Sequence, residues 1–158
     1  MTIYNFDRRI IDSTRKPWGM PSLFWVEFVS MSRGENYPFE FYNTIVSLKD
    51  VHILSFERQS QGDHTNWLDA NVARGNKTAL KVIARADTFG DTSSRMRAQV
   101  YINDSLEIDI EDHTTDFATY SIDVSDLGDT FMLGLGYSST NFGGNANYLA
   151  EFADYWLE

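Results

Sequence analysis

The sequence predicts an all-β protein, an antiparallel β-sandwich, on three observations. Residues 94–110 carry two period-2 runs separated by a turn signal. Met96, Ala98, Val100 and Ile102 alternate with Arg95, Arg97, Gln99 and Tyr101, and Leu106, Ile108 and Ile110 alternate with Glu107, Asp109 and Glu111. Asn103-Asp104 lies between the runs, and both residue types tolerate the positive φ of a two-residue primed turn, so this is a β-hairpin. The second observation is spacing: upstream of residue 147 the chain breaks into short apolar runs at about 8–12-residue intervals, as a sandwich requires. The third is composition within those runs, which favour aromatic and β-branched residues.

Taken in order, residues 1–21 hold one short alternation (Ile3, Tyr4, Phe6), the cluster Asp7-Arg8-Arg9 and the turn chemistry Pro17-Trp18-Gly19-Met20-Pro21. They read as an N-terminal arm or edge segment, and residues 22–158 as a single sandwich domain. Residues 22–31 predict a strand with Phe24, Val26 and Phe28 on one face. Residues 39–47 and 51–58 predict two more, parted by Leu48-Lys49-Asp50. Residues 59–77 form the longest polar interval, with Trp67 and Leu68 as its anchors, and are expected to be an exposed functional loop. Strands are expected at 78–86, 117–124 and 131–137, with loops at 87–94 and 138–146 and a turn at 126–129. At the end of the chain, Tyr148, Leu149, Phe152, Tyr155 and Trp156 fit helical spacing, while Tyr148, Ala150, Phe152, Asp154 and Trp156 share a face if the segment is extended. Both readings stand on the pattern alone, and the run of strands before it favours a closing strand.

Charge divides the chain at the hairpin. Arg97 is its last basic residue: residues 1–97 hold all 13 Lys and Arg against 11 Asp and Glu, and residues 98–158 hold 12 acids. A net charge of −10 excludes a nucleic-acid partner on electrostatic grounds, because phosphate binding needs clustered bases. The absence of cysteine removes disulfides, thiolate metal sites and cysteine nucleophiles. No run is long and apolar enough for a membrane span. Residues 18–31 are interrupted by Pro21 and Glu27 and are not expected to act as a signal peptide, which leaves a cytoplasmic or virion-associated location as the expectation.

His52, His64 and His113 are scattered, and neither a zinc motif nor a nucleophile elbow, P-loop or dinucleotide fingerprint is present. The expectation is a protein without catalytic residues. Aromatic rings in or beside polar loops are more informative, since a flat ring can stack on the apolar face of a sugar. Trp67, Phe89, Phe142 and Tyr148 are the candidates.

Residues 79–158 resemble the calcium-dependent xylan-binding carbohydrate-binding modules. The matching stretches are Leu80-Lys81-Val82-Ile83-Ala84-Arg85-Ala86, Gly90-Asp91, Val100-Tyr101-Ile102-Asn103-Asp104, Ala118-Thr119-Tyr120-Ser121 and residues 147–155. The resemblance implies a jelly-roll sandwich that recognises a glycan through loops at one end, with a bound calcium. Asp91 is the acidic ligand it carries over. The family's Asn-Asp pair is replaced here by Ser138-Ser139, so Asn141, Asn145 or Asn147 would have to stand in for it, with Asp87 at the head of the first loop. Oxygen-only donors of this kind suit calcium, which takes a flexible 6–8-coordinate shell. The alternative is a virion structural protein, a capsid decoration (cement) or tail accessory protein, acting through contacts between neighbouring subunits. Its motivation is the basic arm, residues 1–21, set against the acidic second half.

Overall fold

The alternation across residues 95–110 does form the expected hairpin, and Asn103 and Asp104 take φ of +49° and +67° at its tip. This primed geometry matches the right-handed twist of the two strands it joins. A computed structural model describes residues 39–40, 44–49, 53–58, 63–87, 95–111, 116–140 and 148–158. Within these lie β1 (Phe39–Glu40), β2 (Thr44–Lys49), β3 (Ile53–Arg58), β4 (His64–Ala73), β5 (Ala79–Asp87), β6 (Arg95–Ile102), β7 (Ser105–Ile110), β8 (Ala118–Asp123), β9 (Thr130–Thr140) and β10 (Tyr148–Leu157). They form two antiparallel sheets, one of six strands ordered β1-β2-β3-β10-β5-β8 and one of four ordered β4-β9-β6-β7. The all-β, jelly-roll-like sandwich predicted from the sequence is therefore the fold. The arm at residues 1–21 and the strand expected at 22–31 lie outside the described residues.

The core lies between the sheets. Leu68, Ala70 and Val72 of β4, Leu133, Leu135 and Tyr137 of β9 and Met96, Ala98 and Val100 of β6 meet Leu54 and Phe56 of β3, Val82 and Ala84 of β5 and Phe152 of β10. Its aromatic centre is Phe56, whose ring centroid is 5.6 Å from that of Tyr137 and 6.1 Å, edge-on, from that of Phe152. Such tilted and edge-to-face pairs add to plain area burial.

Four expectations change. Residues 39–47 are not one strand: β1 and β2 pair antiparallel, Phe39 opposite Val46. The polar interval 59–77 is not a loop but contains the ten-residue β4. Thr65, Asp69 and Asn71 occupy outward positions of a half-buried strand, His64 and Asn66 break the apolar pattern at inward ones, and Ala70 is too small an inward residue to mark the period. β9 continues to Thr140, beyond the strand end expected at 137. Leu106 does not share the core with Ile108 and Ile110. A bulge at Glu107 sets Leu106 opposite Tyr101 rather than in phase with Ile108, and leaves it 46% exposed.

The closing strand expected at the end of the chain is β10, and its helix-like spacing has a local cause. Phe152 pairs with Ala84 and Asp154 with Ile83, so Ala153 is an extra residue inside the strand. Ala150 and Phe152 face the core before this bulge, and Tyr155 and Leu157 after it. On the opposite face of the six-stranded sheet, Glu151 has a side chain only 1% exposed. Arg85 Nε and Nη2 each lie 2.6 Å from its Oε2, and Ser55 Oγ donates to its Oε1 at 3.3 Å. The Arg85 guanidinium also sits 4.6 Å from the Phe117 ring centroid.

Candidate functional site

The outer face of the four-stranded sheet is built on an inner strand that carries glycine at two successive outward positions. Outward positions of β9 are Met132, Gly134, Gly136 and Ser138, flanked by Trp67 and Asp69 on β4 and by Arg97, Gln99 and Tyr101 on β6. Register sets Trp67 opposite Gly136 on one side and Tyr101 opposite Gly134 on the other. Neighbouring strands are about 4.8 Å apart, so residues two strands away meet only if the strand between them carries no side chain. The two rings do meet, stacked with centroids 4.2 Å apart and an interplanar angle of 23°. A Cβ at Gly134 would lie 2.7 Å from Trp67 Cδ1 and 3.0 Å from Tyr101 Cβ. Glycine is therefore what permits the stack.

Hydrogen bonds tie this pair to the hairpin. Tyr101 Oη donates to Gln99 Oε1 at 2.6 Å, and Gln99 Nε2 donates to Asp109 Oδ1 at 3.0 Å. Arg97 Nη1 donates to Asp109 Oδ2, and its Nη2 reaches Glu111 Oε1 at 3.4 Å. The cross-hairpin division of charge seen in the sequence is thus a set of ion pairs. Burial raises the Tyr101 phenol above its ordinary pKa, with the Asp109 charge adding to the effect. Leu106 and Met132 are the exposed large hydrophobic residues among those described, and both lie on this face. Tyr101 is 6% exposed and Trp67 is partly exposed.

Asp69 sits beside the stack, and its carboxyl is held above the ordinary 3.8. Burial is the larger cause and the Asp104 charge the second, while a hydrogen bond from the Trp67 side chain acts the other way. A raised folded-state pKa favours folding below the unfolded value, and that contribution is lost as pH rises through the folded one. Asp69→Asn keeps an oxygen acceptor and cannot titrate. Its melting temperature is therefore expected to gain on that of the parent as pH rises above about 4, and then to level off. Circular-dichroism melts across this range check it; a difference independent of pH would contradict the assignment.

Of the residues singled out in the sequence, Trp67 lies on this face rather than in a loop. Asp87 ends β5 opposite Leu149, and Tyr148 opens β10 opposite Arg58. Arg95, which begins β6, pairs with Thr140, which ends β9. The strand ends that bracket residues 88–94 and 141–147 are therefore neighbours in both sheets, at one end of the sandwich. Phe89, Asp91, Asn141, Phe142, Asn145 and Asn147 lie outside the described residues. Among the described residues no group of three or more His, Asp or Glu could hold a metal ion. Sequence reading missed Tyr101, Gly134 and Gly136, although a Gly-Leu-Gly step inside a strand signals close approach of another group.

No family profile and no curated protein sequence matches the chain. Solved structures similar in fold include the secreted serine protease VesC from Vibrio cholerae, at a TM-score of 0.49 and 14% identity over 85% of this chain and 26% of that one. The chain thus spans about a quarter of that protein's length. A family 61 carbohydrate-binding module in complex with β-1,4-galactotriose gives a TM-score of 0.45 at 9% identity over 92% of this chain and 99% of that one. A family 35 carbohydrate-binding module from an environmental isolate gives 0.34 at 19% identity, over 76% and 71% of the two chains. Carbohydrate-binding modules are therefore among the structural neighbours of this chain.

Proposed function

We propose that the chain is a non-catalytic glycan-binding module whose ligand rests on the outer face of the four-stranded sheet. The observation that carries this reading is the Trp67–Tyr101 stack above the glycine positions of β9. A pyranose presents a C–H face that packs on a rigid aromatic surface and a rim of hydroxyls that need donors and acceptors. The partly exposed Trp67 of the stack supplies the first, and Asp69 beside it supplies the second, while buried Gln99 holds Tyr101 in place beneath. Because the rings hold each other and Tyr101 is hydrogen-bonded to Gln99, little side-chain freedom remains to be lost on binding.

Isothermal titration against a panel of neutral oligosaccharides tests the reading. Trp67→Ala is expected to weaken binding about 30-fold, roughly 2 kcal/mol, in a protein that still melts cooperatively. Absence of heat with every glycan at millimolar concentration would sink it. Binding that survives Trp67→Ala and disappears with a calcium chelator would move the site to the loop residues Asp87, Asp91, Asn141 and Asn147 and make calcium a cofactor. Contact between neighbouring copies, as in a virus particle, is the second reading, and the exposure of Leu106 and Met132 on this face favours it. Concentration-dependent sedimentation without glycan binding would select it.

A further inference from the structure

We infer that this sheet face selects uncharged glycans and excludes acidic ones, an inference that rests on the glycan-binding reading above. The argument is the distribution of charge around the aromatic pair. β4 and β9 contain no Lys or Arg, nor does β7, and the bases of the four-stranded sheet are Arg95 and Arg97, at the start of β6. Arg97 is engaged by both Asp109 and Glu111. At the other end of β6, beside Tyr101, stand Asp69, Asp104 in the hairpin turn and Glu107 at the bulge.

The segments joining these strands are poor in bases. Residues 59–62, 88–94, 112–115 and 141–147 contain no Lys or Arg, and the turn that follows β4 carries Arg74 and Lys77, of which Arg74 is spent on the carbonyl oxygens of Gly128 and Lys77. The effect of Asp104 on the Asp69 carboxyl is that of a negative field at the edge of the stack. A carboxylate or sulfate on a sugar laid over the rings enters that field within a Debye length of several acids, while among the described bases of the four-stranded sheet Arg97 is committed to two carboxylates and Arg95 stands at the opposite end of β6 from Tyr101. The acids do not create the site, which is aromatic. They decide which sugars it accepts.

The test is titration of the full chain with a neutral β-1,4-linked hexose oligosaccharide and with a uronate oligomer of equal length, at about 0.01 M and about 0.15 M salt. The uronate is expected to bind at least about tenfold more weakly at low salt and to recover part of that deficit at the higher salt, while the neutral ligand is indifferent to salt. Asp104→Asn with Glu107→Gln removes two exposed charges and keeps a residue at 104 that tolerates positive φ. This double variant is expected to narrow the gap between the ligands by about threefold or more without changing neutral-glycan affinity. Uronate binding as tight as or tighter than neutral binding would overturn the inference while leaving glycan binding standing. So would a gap unchanged in the double variant. Failure of both ligands overturns the glycan-binding reading and this inference with it.

Discussion

Gly136→Ala is expected to destabilise the protein by about 3 kcal/mol, near the upper end of what overpacking costs. The added Cβ would fall 2.6 Å from Trp67 Cα and 2.5 Å from Trp67 Cβ, and would also overlap the Asn66 carbonyl oxygen. Two of these three are backbone atoms, so no rotamer change clears the space. β4 must move away from β9, and that strains a ten-pair ladder running from His64–Ser139 to Ala73–Thr130. Gly134→Ala makes the informative contrast. Its Cβ would meet Trp67 Cδ1, Asp69 Oδ1 and Tyr101 Cβ, all side-chain atoms. The indole can swing aside, so this variant is expected to stay folded and to lose the stack. Urea titration should separate the two: a large fall in midpoint for Gly136→Ala, and a small one for Gly134→Ala accompanied by a change in tryptophan fluorescence. Equal midpoints would show that the glycines do not play these separate roles.

Arg85→Met is expected to cost about 3 kcal/mol or more, because it removes the guanidinium from a carboxylate that is almost wholly buried. Breaking such a pair from the cationic side is costly when the acid cannot reach water. Replacing both members, Arg85→Met with Glu151→Leu, is expected to recover most of the loss, since the penalty lies in burying one charge without the other. Chemical denaturation of the two single variants and the double variant gives the coupling directly. A double variant no better than Arg85→Met would show that Glu151 is not the reason the arginine matters.

The hairpin and β5 were legible in the sequence because their faces differ sharply in polarity. Met96, Ala98 and Val100 go to the core, and Arg95 and Arg97 go outward. β4 was not, because its outward residues Asp69 and Asn71 are poor strand formers, as is Asn66 at an inward position, and its inward Ala70 is small. Tertiary pairing with β9 overrides that local preference. β1 and β2 merged in the sequence reading because aromatic and β-branched residues recur through residues 39–47 with Asn43 as the one turn-forming residue between the strands, and periodicity says little about where a chain reverses. The site was partly legible. Trp67 stood out as an aromatic in a polar stretch, but its partner Tyr101 belongs to a strand 34 positions later and reaches it only across β9. No local pattern encodes a contact made through the absence of a side chain on a third strand.

The extra residue in β10 has a consequence for how this strand can vary through descent. Removing Ala153 would leave Phe152 followed directly by Asp154, and the alternation of inward Phe152, Tyr155 and Leu157 would run on unbroken. Loss of one codon farther along the strand would turn the residues between the deletion and the bulge to the opposite face. The bulge is thus the place along β10 where a single-codon deletion disturbs the core least. Homologues that differ in length within this strand should differ there.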